Sequence, residues 1–228
     1  MYLSYICSLN ANIMSKYLRN KNYFDVIDTY AKAYIVGFIT ADGSIVKSSR
    51  GNSYYLTITI RYEDKDILNF IKQELGSSHK LTEISKIGGF GKPIHHIRLS
   101  IGSTNLIRGL NQAGLYSNKS LTMGNIIENI PQQYRGAFII GYIDGDGSIT
   151  RVSNSPNNKS LNIQIRGTRE FLKGITSTLE MPDTYISQYD SIPQLSITHK
   201  KYQRTLFSYY ENLPFYYTGK YNKFLGYL

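Results

Sequence analysis

The sequence predicts an α+β protein built from two copies of one αββαββα unit, each with an antiparallel sheet. Two observations predict it. A segment of fourteen residues recurs at a constant offset of 104, as AYIVGFITADGSIV at 33–46 and AFIIGYIDGDGSIT at 137–150. Downstream of each copy, a strand alternates apolar and polar side chains, LTITIR at 56–61 and LNIQIR at 161–166. Alternation of period two marks a strand with one buried and one open face, and self-similarity at one long offset marks a duplicated domain.

Each element follows in order. An apolar helix of about ten residues ends at Asp42-Gly43 and again at Asp146-Gly147. A strand follows directly, over Ser44–Val46 and Ser148–Arg151. The alternating strand places Leu56, Ile58 and Ile60 on one face, with Thr57, Thr59 and Arg61 on the other. In the second copy the faces are Leu161, Ile163, Ile165 and Asn162, Gln164, Arg166. Helices are expected at Lys65–Leu75 and Arg169–Leu179. Two more strands come next, the last at Ile97–Ile101 and Gln194–Thr198. Final helices cover Thr104–Ala113 and Lys201–Tyr210. One polar strand face suggests a sheet open on one side. The expected segments are an entry segment at 1–28, a first half at 29–124, a linker at 125–135 and a second half at 136–228. Asp28 or Thr29 is the expected N-cap of the first repeated helix.

Composition limits the function classes. Lys and Arg number 26 against 16 acids, a net charge of +10, which points to nucleic acid or an anionic membrane surface as partner. No apolar run approaches the roughly 20 residues that span a bilayer. The opening residues MYLSYICSL lack the basic region and cleavage site of a signal peptide, so an intracellular site is expected: a bacterial or phage-infected cytoplasm, or an organelle matrix. Cys7 is the single cysteine, which excludes an intrachain disulfide and a Cys-based zinc centre. His79, His95, His96 and His199 lack metal-ligand spacing, and plain exposure or a DNA contact is expected of His95, His96 and His199.

The repeated Asp-Gly is the candidate site. A carboxylate at the carboxyl end of a helix faces the negative end of the helix dipole, at a cost of roughly 0.3–1 kcal/mol. That disfavoured placement occurs twice in one register. Within each helix, Gly37 with Ala33 and Gly141 with Ala137 put small residues on one face, at four-residue spacing. Two such faces let helix backbones approach closely. If they pack together, Asp42 and Asp146 meet near a pseudo-two-fold axis, and a divalent cation removes their repulsion.

These segments resemble the LAGLIDADG motif, with IVGFITADG at 35–43 and IIGYIDGDG at 139–147, and the resemblance extends from about Asn22 to the C-terminus. The phrases NYFDVID and IPQQYRGAFIIGYIDGDGSI are similar to the group found in phages, bacteria and organelle introns. The resemblance implies a monomeric, single-chain homing endonuclease that cuts both strands of a long duplex DNA target. It implies saddle-shaped sheets over the major groove, packed through the two motif helices. It implies Mg²⁺, with Mn²⁺ as a substitute, bound by Asp42 and Asp146 with the backbone carbonyls of Ala41 and Gly145. The basic residue near the end of each half matches Lys119 and Lys220, with Lys223 as a competitor for the second. The chain departs from the motif at Thr40, where the second copy has Asp144. It departs again at Tyr62-Glu63 and Gly167-Thr168, where the family often has Gln-Lys. Those departures leave open a weaker half-site and a nicking activity.

DNA recognition is expected from the open strand faces: Thr57, Thr59, Arg61, Arg98, Asn162, Gln164 and Arg166. Lys47, Arg50, Arg151 and Lys159 on the first hairpins add base or phosphate contacts. Two rival readings use the same scaffold, an RNA maturase acting on intron RNA and a non-catalytic DNA-binding regulator. Retention of both motif acids argues against the second. An intein is disfavoured by the ending NKFLGYL, and a membrane-surface protein by the lack of an amphipathic basic helix.

Overall fold

The structure is a computed structural model, described here for residues 17–49, 53–87, 93–117, 124–151, 161–187 and 191–226. It divides into two compact units. One comprises the described residues up to Val26 together with Gly43–Gln112; the other comprises Ile27–Asp42 and the described residues from Ala113 onward. The first repeated helix therefore groups with the second half of the chain. No described helix is long and apolar enough to cross a membrane.

In the first unit, β1 (Gly43–Lys47), β2 (Tyr54–Arg61), β3 (Thr82–Ile87) and β4 (Pro93–Gly102) form an antiparallel sheet in the order β1-β2-β4-β3. Helices α2 (Lys65–Glu74) and α3 (Thr104–Gln112) contact β2. The alternation read from the sequence holds. Leu56, Ile58, Ile60, Ile97, Leu99 and Ile101 are buried, as are Ile67, Leu68, Ile71, Leu106 and Leu110 of the helices. The described residues of the entry segment up to Val26 belong to this unit. Leu18 bridges to Ser77, the Tyr23 hydroxyl donates to Glu74, and Arg108 pairs with Asp25 at 2.9 Å. Phe24 lies so close to Gly109 that a Cβ there would come within 2.8 Å of its carbonyl carbon.

The second unit is organised on two helices, α1 (Tyr30–Asp42) and α4 (Arg135–Asp146). Both are apolar nearly all round, which suits helices buried on every side. Thr29 caps the first: its Oγ1 accepts the backbone N–H of Lys32 at 3.2 Å. The nearby Asp28–Lys32 ion pair is exposed and adds little. Strands β5 (Ser148–Arg151), β6 (Leu161–Arg166) and β7 (Gln194–Ile197) pair antiparallel in that order. Helices α5 (Arg169–Thr178), α6 (Lys200–Ser208) and α7 (Thr218–Leu225) complete the unit. Thr168 caps α5 through Phe171 N–H, and buried Gln203 of α6 donates to Leu161 O and Ile197 O, tying β6 to β7.

One expectation needs correction. The second half was expected to have four strands, as the first does; among the described residues its extra strand is reduced to one bridge, Ile186 to Leu195. Pro182 opens a tight turn at 183–185 just before it, and a proline supplies no ladder donor. The segment expected as the linker contains short helical turns at Ile126–Asn129 and Gln132–Tyr134. Helix α7 was missed. At eight residues it is too short to persist by propensity, and aromatic packing of Tyr221 on Phe207 (5.6 Å, stacked) and on Tyr216 (4.3 Å) holds it.

The α1–α4 contact is backbone on backbone. A Cβ on Gly37 would sit 2.0 Å from Phe138 O, and one on Gly141 would sit 2.0 Å from Tyr34 O. Positions 34 and 138 are equivalent under the 104 offset, so the two close approaches are the same contact seen from either side. Neither obstacle is a movable side chain. Gly37→Ala or Gly141→Ala therefore forces the helices apart, and each substitution is expected to cost about 3 kcal/mol; urea unfolding monitored by circular dichroism checks this.

Candidate metal and nucleic-acid site

The site begins where α1 and α4 end together. Ala41 and Gly145 are equivalent repeat positions in contact across the pseudo-two-fold relation: a Cβ on Gly145 would lie 2.4 Å from Ala41 Cβ and 3.4 Å from Asp42 Oδ2. Asp42 and Asp146 are the last residues of their helices and both are exposed. Gly147 after α4 has φ −73, so it is not chosen for a left-handed turn; a Cβ there would strike Ile143 Cα at 2.7 Å.

Both carboxylates act on the same neighbours. Tyr142 is buried between α4 and β6, with its hydroxyl donating to Arg166 O at 2.8 Å. Burial raises its pKa, and the charges of Asp146 and Asp42 raise it further. No cluster of three or more acidic, histidine or cysteine side chains is found among the described residues. The donor set is nonetheless right for a hard cation. Two exposed carboxylates at abutting helix ends, beside backbone carbonyls, suit Mg²⁺, which takes one or two protein carboxylates and keeps several waters.

Lys220 comes from α7, an element absent from the sequence reading, yet it reaches the same place. Its Nζ donates to Ile143 O at 2.6 Å, Asp144 O at 2.8 Å and Gly145 O at 3.2 Å. They belong to the last turn of α4, where Ile143 O also accepts the Gly147 N–H at 2.9 Å and helix carbonyls run out of intrahelical donors. A cation there also offsets the negative end of the helix dipole on which Asp146 sits. Burial lowers the pKa of Lys220, while Asp144, Asp42 and Asp146 act to raise it. Lys223, the competing lysine, is exposed on the same helix.

Asp144, passed over in the sequence because its counterpart is Thr40, is the most connected acid of the site. It is buried, at 4% exposure. Its Oδ2 accepts from Tyr34 Oη of α1 at 2.8 Å and from the backbone N–H of Tyr217 at 2.9 Å; its Oδ1 accepts from Tyr210 Oη at 3.4 Å. Burial pushes its pKa up to about 6, against the pull of those donors and of Lys220. The equivalent Thr40 is also buried, and its hydroxyl donates to Val36 O of its own helix at 2.7 Å.

The open sheet faces carry the expected polar residues. In the first unit Thr57 lies between Ser44 and Ser100, and Thr59 between Arg98 and the end of β1's pairing. Arg98 Nε donates to Thr59 Oγ1 at 3.0 Å. Arg61 is exposed opposite His96, and Lys47 is exposed at the end of β1. In the second unit Gln164 lies between Ser148 and Ser196, Asn162 faces Thr150, and Arg151 ends β5. Arg166 Nε donates to Gln194 Oε1 at 3.1 Å, and Gln194 Nε2 donates to Ser196 Oγ at 3.2 Å. Gln194, Ser100 and Ser196 were missed, although their alternation with Leu99, Ile101, Leu195 and Ile197 was readable. Arg50, Lys119 and Lys159 lie outside the described residues. The histidines form no cluster there: His79 and His95 bond Ser77 and Ser85, and His199 caps α6.

The three hydrogen bonds of Lys220 make a stability prediction. Lys220→Met strips the end of α4 of its cationic cap and is expected to lower unfolding free energy by about 1–2 kcal/mol, measured by urea titration.

Comparison with known proteins gives the fold a name. Residues 29–113 match the model of the LAGLIDADG-like domain. None of the curated proteins matches the chain by sequence. Among solved structures, the homing endonuclease I-WcaI bound to its DNA recognition sequence is similar, with a TM-score of 0.61 and 13% identity over 83% of this chain and 84% of that one. The LAGLIDADG homing endonuclease I-LtrWI bound to target DNA gives 0.55 and 14%, over 86% and 88%. The meganuclease I-AabMI bound to uncleaved DNA gives 0.54 and 14%, over 85% and 87%. Residues 29–113 thus carry a LAGLIDADG-like domain, and the chain as a whole shares the fold of these endonucleases, with its two repeated helices packed through Gly37 and Gly141.

Proposed function

We propose that the protein is a site-specific, metal-dependent endonuclease that binds a long asymmetric duplex DNA target and hydrolyses both strands. The observation that carries this reading is the meeting of Asp42 and Asp146 at abutting helix ends, where two exposed carboxylates can share a hard cation. The similar structures are described as endonucleases on DNA, which supports DNA as the partner. The net charge of +10 supports an anionic polymer as well.

Asp42 and Asp146 hold the cation, with the carbonyls of Ala41 and Gly145 beside them. A divalent cation there supplies Lewis acidity toward the scissile phosphate and activation of water. Mn²⁺ substitutes for Mg²⁺ because both accept oxygen ligands. Lys220 and Lys119 supply positive charge where negative charge develops on the phosphate. On the sheet faces, the Nε bonds of Arg98 and Arg166 fix each guanidinium plane and leave its terminal donors for a bidentate pair with guanine. Thr57, Thr59, Arg61, Asn162 and Gln164 read neighbouring bases, and Lys47, Arg50, Arg151 and Lys159 contact bases or phosphates.

Incubation with a host-genome DNA library, with Mg²⁺ or with EDTA, followed by sequencing of cut ends, tests the reading. Cuts at one long asymmetric site are expected with Mg²⁺ and none with EDTA; Asp42→Asn and Asp146→Asn should each abolish double-strand cutting or reduce it to nicks. Binding to DNA or RNA without any cut overturns the nuclease reading in favour of a regulator or maturase. On the recovered target, Arg98→Ala and Arg166→Ala are each expected to weaken binding by about 1–3 kcal/mol, and to relax the preference at one base pair, as read by fluorescence anisotropy at fixed salt.

A further inference from the structure

We propose that Asp144 is a positioning residue: it latches the C-terminal segment onto the second motif helix and so holds Lys220 at the end of that helix beside Asp146. The inference rests on the nuclease reading above and places the support of one strand's chemistry at the second motif.

Four segments meet at this carboxylate. It is carried by α4, and it accepts from Tyr34 of α1, from Tyr210 in the turn after α6, and from the backbone N–H of Tyr217. Tyr217 is the N-cap of α7, and its carbonyl accepts the N–H of Lys220, one helical turn on. A bond from Asp144 to Tyr217 therefore fixes the start of α7 against α4, and the first turn of α7 carries Lys220 back onto α4 at Ile143, Asp144 and Gly145. The aromatic contacts of α7 reach chiefly Phe207, Tyr210 and Tyr216, so they join the C-terminal elements to one another. Asp144 ties them to the motif helix. At the equivalent position the first motif has Thr40, whose hydroxyl bonds its own helix and which has no carboxylate to offer a chain segment. The latch is thus a property of the second motif.

The amide of an asparagine can reproduce the latch. Its oxygen, placed at Oδ2, accepts from Tyr34 and Tyr217, and its nitrogen donates to the Tyr210 hydroxyl. Alanine cannot, and Tyr34→Phe removes one donor with little change of volume.

The test measures each strand of the recovered target separately, with either 5′ end labelled, together with hydrogen exchange of residues 209–226. Asp144→Ala is expected to slow one strand at least about tenfold, the scale of losing one oriented charge-stabilising group, with the other strand cut at the parent rate. Exchange in 209–226 should rise about tenfold while the rest of the chain is unchanged. Asp144→Asn should restore both readings, and Tyr34→Phe should show the same strand bias in weaker form. If Asp144→Ala fails to fold, Tyr34→Phe alone decides. Equal slowing of both strands, or unchanged exchange in 209–226, overturns the latch with the nuclease reading intact. A parent protein that cuts no DNA overturns both.

Discussion

The packing of α1 on α4 is the constraint on which everything else depends. Two helices approach so closely that a carbonyl oxygen of each occupies the space of a missing Cβ on the other, at Gly37 and Gly141. The helix ends consequently abut, and Asp42 comes beside Gly145, the residue that precedes Asp146. The carboxylate pair, the placement of Ala41 and Gly145, and the reach of Lys220 all follow from that one approach. Glycine weakens an isolated helix by up to about 1 kcal/mol, and the interhelical contact recovers that loss.

The site also illustrates how unequal the two motifs have become. Both present an exposed acid at the helix end. Around the second lies a buried carboxylate with three donors and a lysine that caps the helix. Around the first, a threonine closes on its own backbone. The two equivalent acids therefore follow different side chains, Thr40 in α1 and Asp144 in α4.

Much of this was legible in the sequence. The 104-residue offset revealed the duplication, and period-two alternation identified β2 and β6 with their core and open faces. The Gly-Ala spacing pointed to the helix pair. What the sequence hid depends on tertiary contact. Helix α7 has no periodic signal strong enough to announce eight residues, because its partners Phe207, Tyr210 and Tyr216 are brought to it by the fold. Asp144 was discounted as a tolerant motif position, since nothing in one dimension links it to Tyr34, 110 residues away. That the fourth strand of the second half is a single bridge among the described residues was obscured by expecting the copies to match; Pro182 and Pro193 interrupt the region where it would run. Gln194 was overlooked because its role is to orient Arg166 across the sheet.

Tyr34 and Asp144 have as repeat equivalents Phe138 and Thr40. A symmetric pair of second halves would set each buried carboxylate against a phenylalanine ring that lacks a hydroxyl. A symmetric pair of first halves would bury two tyrosine hydroxyls with no acid between them. In the pair of second halves, each carboxylate would keep its Tyr210 and Tyr217 donors and lose one hydrogen bond, worth about 1.5–3 kcal/mol when the acceptor is charged. The two halves are therefore complementary as well as similar. At these two positions each half fits the other better than it would fit a copy of itself.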